Sequence, residues 1–216
     1  VTSGTAPFSY AWTVPGGASN PGDTDSFSAT VAGNYSVIVT DVHGCTGSDN
    51  GDLTVNPNPV VTVADASTCA GGSATISAGV TSGTAPFSYA WTVPGGATNP
   101  GDVSSFSASV AGNYSVIVTD VHGCTGSDNG DLTVNPNPVV TVADASTCAG
   151  GSATISAGVT SGTAPFSYAW TVPGGATNPG DVSSFSATVA GNYSVIVTDV
   201  HGCTGSDNGD LTVNPN

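Results

Sequence analysis

The chain has 216 residues, 15 of them acidic and none of them Lys or Arg, giving a formal net charge of −15 at pH 7. Charged residues make up 7%, against about 25% of both signs in ordinary soluble domains. A chain without cations cannot neutralise phosphates, which excludes nucleic-acid binding, and it has no polybasic patch for an anionic membrane.

All the acidic residues are Asp, so intramolecular ion pairs require His43, His122 or His201. No apolar run approaches a membrane span and no signal-peptide pattern opens the chain, so membrane insertion is not expected. The chain starts at Val1 inside a repeat, and the expectation is that the natural polypeptide begins further upstream.

The repeat dominates the sequence. Gly112-Asn-Tyr-Ser-Val-Ile-Val-Thr-Asp-Val-His-Gly-Cys124 recurs unchanged from Gly33 and from Gly191, and 112 − 33 and 191 − 112 are both 79. A long fixed period sets the domain count before any other reading. It divides the chain into 1–56, 57–135 and 136–216. Over the span they share, the second and third copies differ only at Ser109 against Thr188. The first copy has Ser19, Thr24 and Asp25 where the second has Thr98, Val103 and Ser104. Three full periods would need 237 residues (3 × 79), and the 21 absent ones correspond to Pro59–Gly79. The first copy is therefore expected to lack two strands and to expose edges and core.

The second copy gives the element order. Pro57-Asn58-Pro59 is a stiff connector, because each proline fixes its own φ and restrains the residue before it. Val60 to Ala64 reads as a first strand, and Ser67 to Gly72 carries Cys69 and a Gly-Gly turn. Ser73 to Val80 is a second strand with Ala74, Ile76 and Ala78 on one face. Phe87, Tyr89, Trp91 and Val93 alternate with small polar residues, marking a third strand that Pro94-Gly95-Gly96 ends. After the turn at Asn99–Asp102 come Phe106, Ala108 and Val110 in a further strand, with room for a short strand before it. In Gly112–Thr119, Tyr114, Val116 and Val118 alternate with Ser115, Ile117 and Thr119, the period-two pattern of a strand with one face in a core. Cys124 to Asn135 is the last strand, predicted to break near Asp128-Asn129-Gly130 because Asn-Gly favours a hairpin turn.

No segment has helical periodicity. Six or seven short strands per 79 residues predict an all-β fold of tandem immunoglobulin-like antiparallel sandwiches. Such a small domain needs its aromatics, Phe87, Tyr89, Trp91, Phe106 and Tyr114, in the core.

Three stretches carry a resemblance: Cys69-Ala-Gly-Gly-Ser-Ala-Thr-Ile-Ser-Ala78, Ala85-Pro-Phe-Ser-Tyr-Ala-Trp91, and the Gly112–Cys124 strand and turn. Together they resemble the PKD-like and immunoglobulin-like repeats of large Bacteroidota-type surface proteins, including gliding adhesins. The chain departs from the PKD pattern at Val93-Pro94-Gly95-Gly96, where an aromatic-Gly-Asp-Gly turn is usual. The resemblance implies an extracellular or cell-surface stalk, spacer or adhesive module, with no catalytic residues and no cofactor.

Each candidate site has a plain alternative. Cys45, Cys69, Cys124, Cys148 and Cys203 lack metal-ligand spacing and suggest disulfides outside the reducing cytosol. Pairing within a repeat gives Cys69–Cys124 and Cys148–Cys203, with Cys45 paired beyond Val1. Standard sandwich topology puts the two turns at opposite poles, which instead allows Cys69–Cys203 between neighbours. Pairing within a repeat is the first expectation, since each repeat supplies both partners.

His-Gly-Cys is too small a ligand set for structural zinc, so the histidines read as turn residues. Asp128 and Asp131 are weak calcium candidates, set against a plain turn. Asp120 reads as a cap on its own turn. Asn34, Asn113 and Asn192 open short glycosylation sequons. Tyr114 suggests a tyrosine-corner contact, and Trp91 reads as core. No nucleophile–base pair or phosphate loop can be assembled, so an enzyme is not expected. The partners expected are neighbouring repeats of the same protein in a fibre or adhesin shaft, with glycans or calcium as further candidates. Multivalent binding through the loops and donor-strand exchange are the alternative readings.

Overall fold

A computed structural model describes all 216 residues. Every regular element is a strand. No helix is long and apolar enough to cross a membrane. The first repeat contributes β1 (Ser9–Thr13), β2 (Gly33–Thr40) and β3 (Thr46–Leu53). The second contributes β4 (Val61–Val63), β5 (Ala66–Cys69), β6 (Ala74–Val80), β7 (Ser88–Thr92), β8 (Ser105–Ala108), β9 (Gly112–Thr119) and β10 (Thr125–Asn135). The third repeats this set as β11 (Val140–Val142), β12 (Ala145–Cys148), β13 (Ala153–Val159), β14 (Ser167–Thr171), β15 (Ser184–Ala187), β16 (Gly191–Thr198) and β17 (Thr204–Asn214).

The second and third repeats each form a sandwich. A three-stranded sheet, β4-β6-β8, faces a four-stranded one, β5-β10-β9-β7, and the third repeat has the same order. Between them lies one apolar core, with Val61, Val63, Ile76 and Ala108 from the smaller sheet. Trp91, Tyr114, Val116, Val118 and Leu132 complete it from the larger sheet. The alternation of β9 accounts for the core: Tyr114, Val116 and Val118 point inward, while Ile117 stays exposed. Phe106 sits between Trp91 and Tyr114, with ring centroids 5.0 and 5.8 Å away. Such tilted and edge-on pairs add to the stabilisation that burial provides.

Two expectations about the strands are corrected. The first strand stands as β4, paired antiparallel with β6, but the Ser67–Gly72 stretch, read as a turn carrying Cys69, opens within a separate strand: β5 crosses to the other sheet and pairs parallel with β10. The crossing is held at Asp65, whose Oδ1 accepts the Asp131 N–H at 2.8 Å.

The last strand does not break at Asp128-Asn129-Gly130; β10 runs unbroken, with Asn129 opposite Ser115 and Gly130 opposite Tyr114. The reason is what lies against its other face. A Cβ on Gly126 would collide with the carbonyl of Pro59, and one on Gly130 would sit 2.8 Å from that of Ala64. These glycines seat the first strand rather than turn the chain. No separate strand precedes β8 in the structure.

Candidate functional site

Two turns carry the cysteines in the second and third repeats, and the first repeat has one of them. The turn after β9 is built on Asp120. Its Oδ1 accepts the N–H groups of His122 and Cys124, both at 2.9 Å, and its Oδ2 accepts that of Thr84 at 3.1 Å. Asp199 repeats the arrangement with His201, Cys203 and Thr163. Burial works against the charge on Asp120 and Asp199, but the backbone amides outweigh it and hold both carboxyls below their ordinary range. In the first repeat the Cys45 amide, joined by those of Thr5, His43 and Gly44, holds Asp41 low in the same way.

The expectation that this Asp caps its turn describes what the structure contains. The histidines lie on the outside of the turn, and His43 and His201 approach their Asp carboxylates only to 4.0 Å.

The second turn follows β5. Gly72 N–H donates to Cys69 O at 2.8 Å, and Gly71 takes a φ of +83°, a left-handed conformation that suits glycine. This turn lies at the end of the repeat from which the chain leaves, because β5 pairs with the C-terminal end of β10: Cys69 stands opposite Asn135. Cys124 precedes the other end of that 11-residue strand. At ~3.3 Å rise per residue the two cysteines of one repeat are on the order of 30 Å apart.

The disulfide therefore cannot form within a repeat. Cys69 is bonded to Cys203 of the next repeat, 134 residues away in sequence, with Cα atoms 5.4 Å apart. This corrects the expected pairings Cys69–Cys124 and Cys148–Cys203; Cys45, Cys124 and Cys148 carry free thiols.

Around the bond, the linker Asn135–Pro138 contributes two contacts. Ala70 N–H donates to Asn135 O at 2.8 Å, and Asn137 Nδ2 donates to Ala70 O at 3.1 Å. Asn137 Oδ1 is buried there without a hydrogen-bond partner.

The remaining sequence candidates are dispersed. Asp128 and Asp131 differ by an odd number of strand positions and so face opposite sides of β10. Asp128 Oδ2 accepts the Val63 N–H at 2.7 Å, and Asp131 Oδ1 accepts Asn113 Nδ2 at 2.8 Å. The two carboxylates hold strands in place and do not converge on one point. No group of three or more His, Cys, Asp or Glu stands where it would hold a metal ion. Tyr114 OH donates to Val110 O at 2.8 Å, the tyrosine-corner contact. Trp91 is buried, with Nε1 donating to Val103 O at 2.8 Å. Sequence reasoning missed Asp65, Asn137 and the seats at Gly126 and Gly130. The signal for the glycines was their four-residue spacing in an otherwise polar run.

The first repeat has a groove where the others have β4 and β6. It measures about 550 Å³ and is lined by Phe8, Tyr10, Trp12, Val37 and Val39 among others.

No family model and no curated protein matches the chain. Among solved structures, the N-terminal eight Ig domains of the Down Syndrome Cell Adhesion Molecule are similar at 16% identity and a TM-score of 0.54, over 98% of this chain and 33% of that one. A three-Ig fragment of titin is 16% identical with a TM-score of 0.49, over 98% of this chain and 90% of that one. The likeness to the adhesion molecule shows the fold: immunoglobulin-like β-sandwiches in tandem.

Proposed function

We propose that this chain is a structural repeat segment of a long extracellular fibre, stalk or adhesin shaft, of the kind large bacterial surface proteins carry, with no catalytic chemistry of its own. The observation that carries this reading is the Cys69–Cys203 bond across the joint between repeats. Tandem domains joined by a small interface move relative to one another by default. A covalent bond beside a proline-containing linker opposes that motion, which suits a load-bearing or length-setting shaft better than a freely jointed string. Near-identity of the copies supports the same reading, because a spacer depends on repeat number rather than on divergence. The disulfide supports an oxidising, extracellular setting. In this reading 1–56 is an incomplete immunoglobulin-like repeat, and 57–135 and 136–216 are complete ones.

Small-angle X-ray scattering of the chain and of its Cys69→Ser/Cys203→Ser variant tests the proposal. The variant should give a broader distribution of interatomic distances as the joint loosens. Superimposable distributions would show that the bond does not set the joint and would remove the argument for a stiff shaft.

A further inference from the structure

Strand β7 ends the larger sheet of the second repeat, and β14 ends that of the third. An end strand offers backbone N–H and C=O groups to any strand that comes alongside. On β7 those groups belong to Tyr89 and Trp91, and a segment of the same repeat occupies one group of each. Tyr89 N–H donates to Asp102 Oδ1 at 2.6 Å, and Asn99 Nδ2 donates to Trp91 O at 2.7 Å. The segment Asn99-Pro-Gly-Asp102 thus lies along the edge as a strap. Gly101 N–H donates to Asn99 Oδ1 at 2.9 Å, an Asx-type turn that leaves the amide nitrogen for the strand. Trp91 Nε1 moors the end of the strap at Val103 O, 2.8 Å away.

The strap recurs in the other repeats. In the third, Tyr168 N–H donates to Asp181 Oδ1 and Asn178 Nδ2 to Trp170 O, both at 2.6 Å. In the first, Tyr10 N–H donates to Asp23 Oδ1 at 2.6 Å and Asn20 Nδ2 to Trp12 O at 2.7 Å. It keeps this form even though Thr24 and Asp25 stand where the second repeat has Val103 and Ser104. Asn99 and Asp102 are both exposed, so their two bonds bury little surface. What they do is fill the hydrogen-bonding positions of an edge.

We propose that Asn99 and Asp102 take the place of a neighbouring strand, and that the strand they hold off is β7 of a second copy. In an antiparallel pair, two opposite residues exchange both N–H···O bonds. With Ala90 on a two-fold axis, Tyr89 of one copy faces Trp91 of the other. Tyr89 N–H then donates to the second copy's Trp91 O, and the same bond recurs across the axis. These are the two groups that the strap occupies. The Asp102 oxygen replaces the incoming Trp91 carbonyl, and the Asn99 amide replaces the incoming Tyr89 N–H. Without the strap, the two larger sheets join into one continuous sheet by strand addition. The edge suits a copy of itself because Ser88-Tyr-Ala-Trp-Thr92 carries no charge, in a chain with 15 Asp and no Lys or Arg.

The strap is therefore an autoinhibitory contact: each repeat carries a self-complementary edge and keeps it closed. This goes beyond the shaft reading and does not rest on it. Scattering reads the joint between two repeats of one chain, whereas the following experiment reads pairing between chains through the side of a single repeat.

The full chain carries Cys45→Ser, Cys124→Ser and Cys148→Ser, so that no free thiol remains, and the strap is opened in the second repeat by Asn99→Ala with Asp102→Ala. Sedimentation should shift from monomer to dimer and no further, since one edge is open per chain. Ala90→Cys added to this variant should cross-link the dimer in oxidised glutathione. Ala90 and its symmetry mate form the non-hydrogen-bonded pair, with Cα atoms about 4.5 Å apart, a separation a disulfide spans. Ala90→Cys with the strap intact should stay uncross-linked over the same interval. Asp102→Asn keeps an oxygen for Tyr89 N–H and should stay monomeric; its dimerisation would assign the exclusion to charge and overturn the role of the strap. Near-UV circular dichroism identifies folded protein. Should the double variant not fold, Asn99→Ala alone, which leaves the Asp102 bond in place, should give the same cross-link in lower yield. A folded chain with an opened strap that stays monomeric, or a dimer that Ala90→Cys does not cross-link, would overturn the proposal.

Discussion

The first repeat and the two that follow contain the same β2-type strand, Gly-Asn-Tyr-Ser-Val-Ile-Val-Thr, letter for letter. In β9 and β16 its two inner valines are sealed: Val116 is 1% and Val118 0% exposed. In β2 the equivalent Val37 and Val39 are only half-buried and line the open groove. The last strand shortens from 11 residues in β10 to 8 in β3. Ser26–Ala29, which corresponds to β8, forms no strand. The cause is local. Strand β8 is held by β6, and the end of β10 by β5, and the first repeat contains no counterpart of either. Gly47 and Gly51 show the same contrast: an added Cβ there would meet nothing within 4 Å, while Gly126 and Gly130 are pressed against the first strand. Some features survive the difference. Tyr35 OH still donates to Val31 O at 2.7 Å, and Trp12 Nε1 to Thr24 O at 2.8 Å. The four-stranded sheet thus holds three of its strands without help, while the facing sheet depends on residues that arrive together.

The largest expected effect comes from abolishing the difference. Placing the sequence Pro59–Gly79 ahead of Val1 should close the groove, with each large apolar side chain newly covered contributing up to about 1.5–3 kcal/mol. Hydrogen exchange should then slow the amides of β2 to the level of β9; unchanged exchange would show that the groove is not a seat for those strands. Next, Trp91→Ala should cost about 3–5 kcal/mol, the range for emptying a buried aromatic site. Trp12→Ala should cost clearly less, because its side chain is only partly buried and lines the open groove. Urea unfolding of the two variants checks this, and equal losses would mean that the first repeat is as tightly packed as the second.

The smallest effect concerns acid. The Val142 N–H on Asp207, joined by that of Asn208, holds this carboxyl below its ordinary value. A depressed folded pKa gives stability that is complete above the ordinary carboxylate range and is lost as pH falls through the folded value. Val142 lies on β11, which has no counterpart in the first repeat, and Asp49 there accepts only the neighbouring Asn50 amide. Asp207→Asn should therefore flatten the decline in melting temperature below about pH 5. An unchanged decline in that variant would detach the acid sensitivity from the first strand.

Much of this was legible in the residues. Alternation in Tyr114–Val118 and Phe87–Val93 identified the inner faces, because a strand's two sides are decided by parity alone. The Asp120 turn and the Tyr114 hydroxyl contact were legible as well, since each satisfies backbone groups within a few residues or across one hairpin. The reading failed where a residue's role depends on what another segment lays against it. Asp128-Asn129-Gly130 looks like a turn in isolation and is a strand because Val63 and Ala64 lie over it.

By itself, then, the sequence determined the repeat, the all-β class, the inward faces of its clearest strands and the lack of any Lys or Arg to pair with its Asp residues. These follow from periodicity and composition, which need no knowledge of neighbours. Only the tertiary structure decided which cysteines meet. That outcome turns on β5 crossing to run parallel with β10, which carries Cys69 to the far pole of its own repeat, out of reach of Cys124 and next to Cys203. Spacing along the chain cannot report this, because a disulfide is selected by distance in space, and the crossing of one four-residue strand sets that distance.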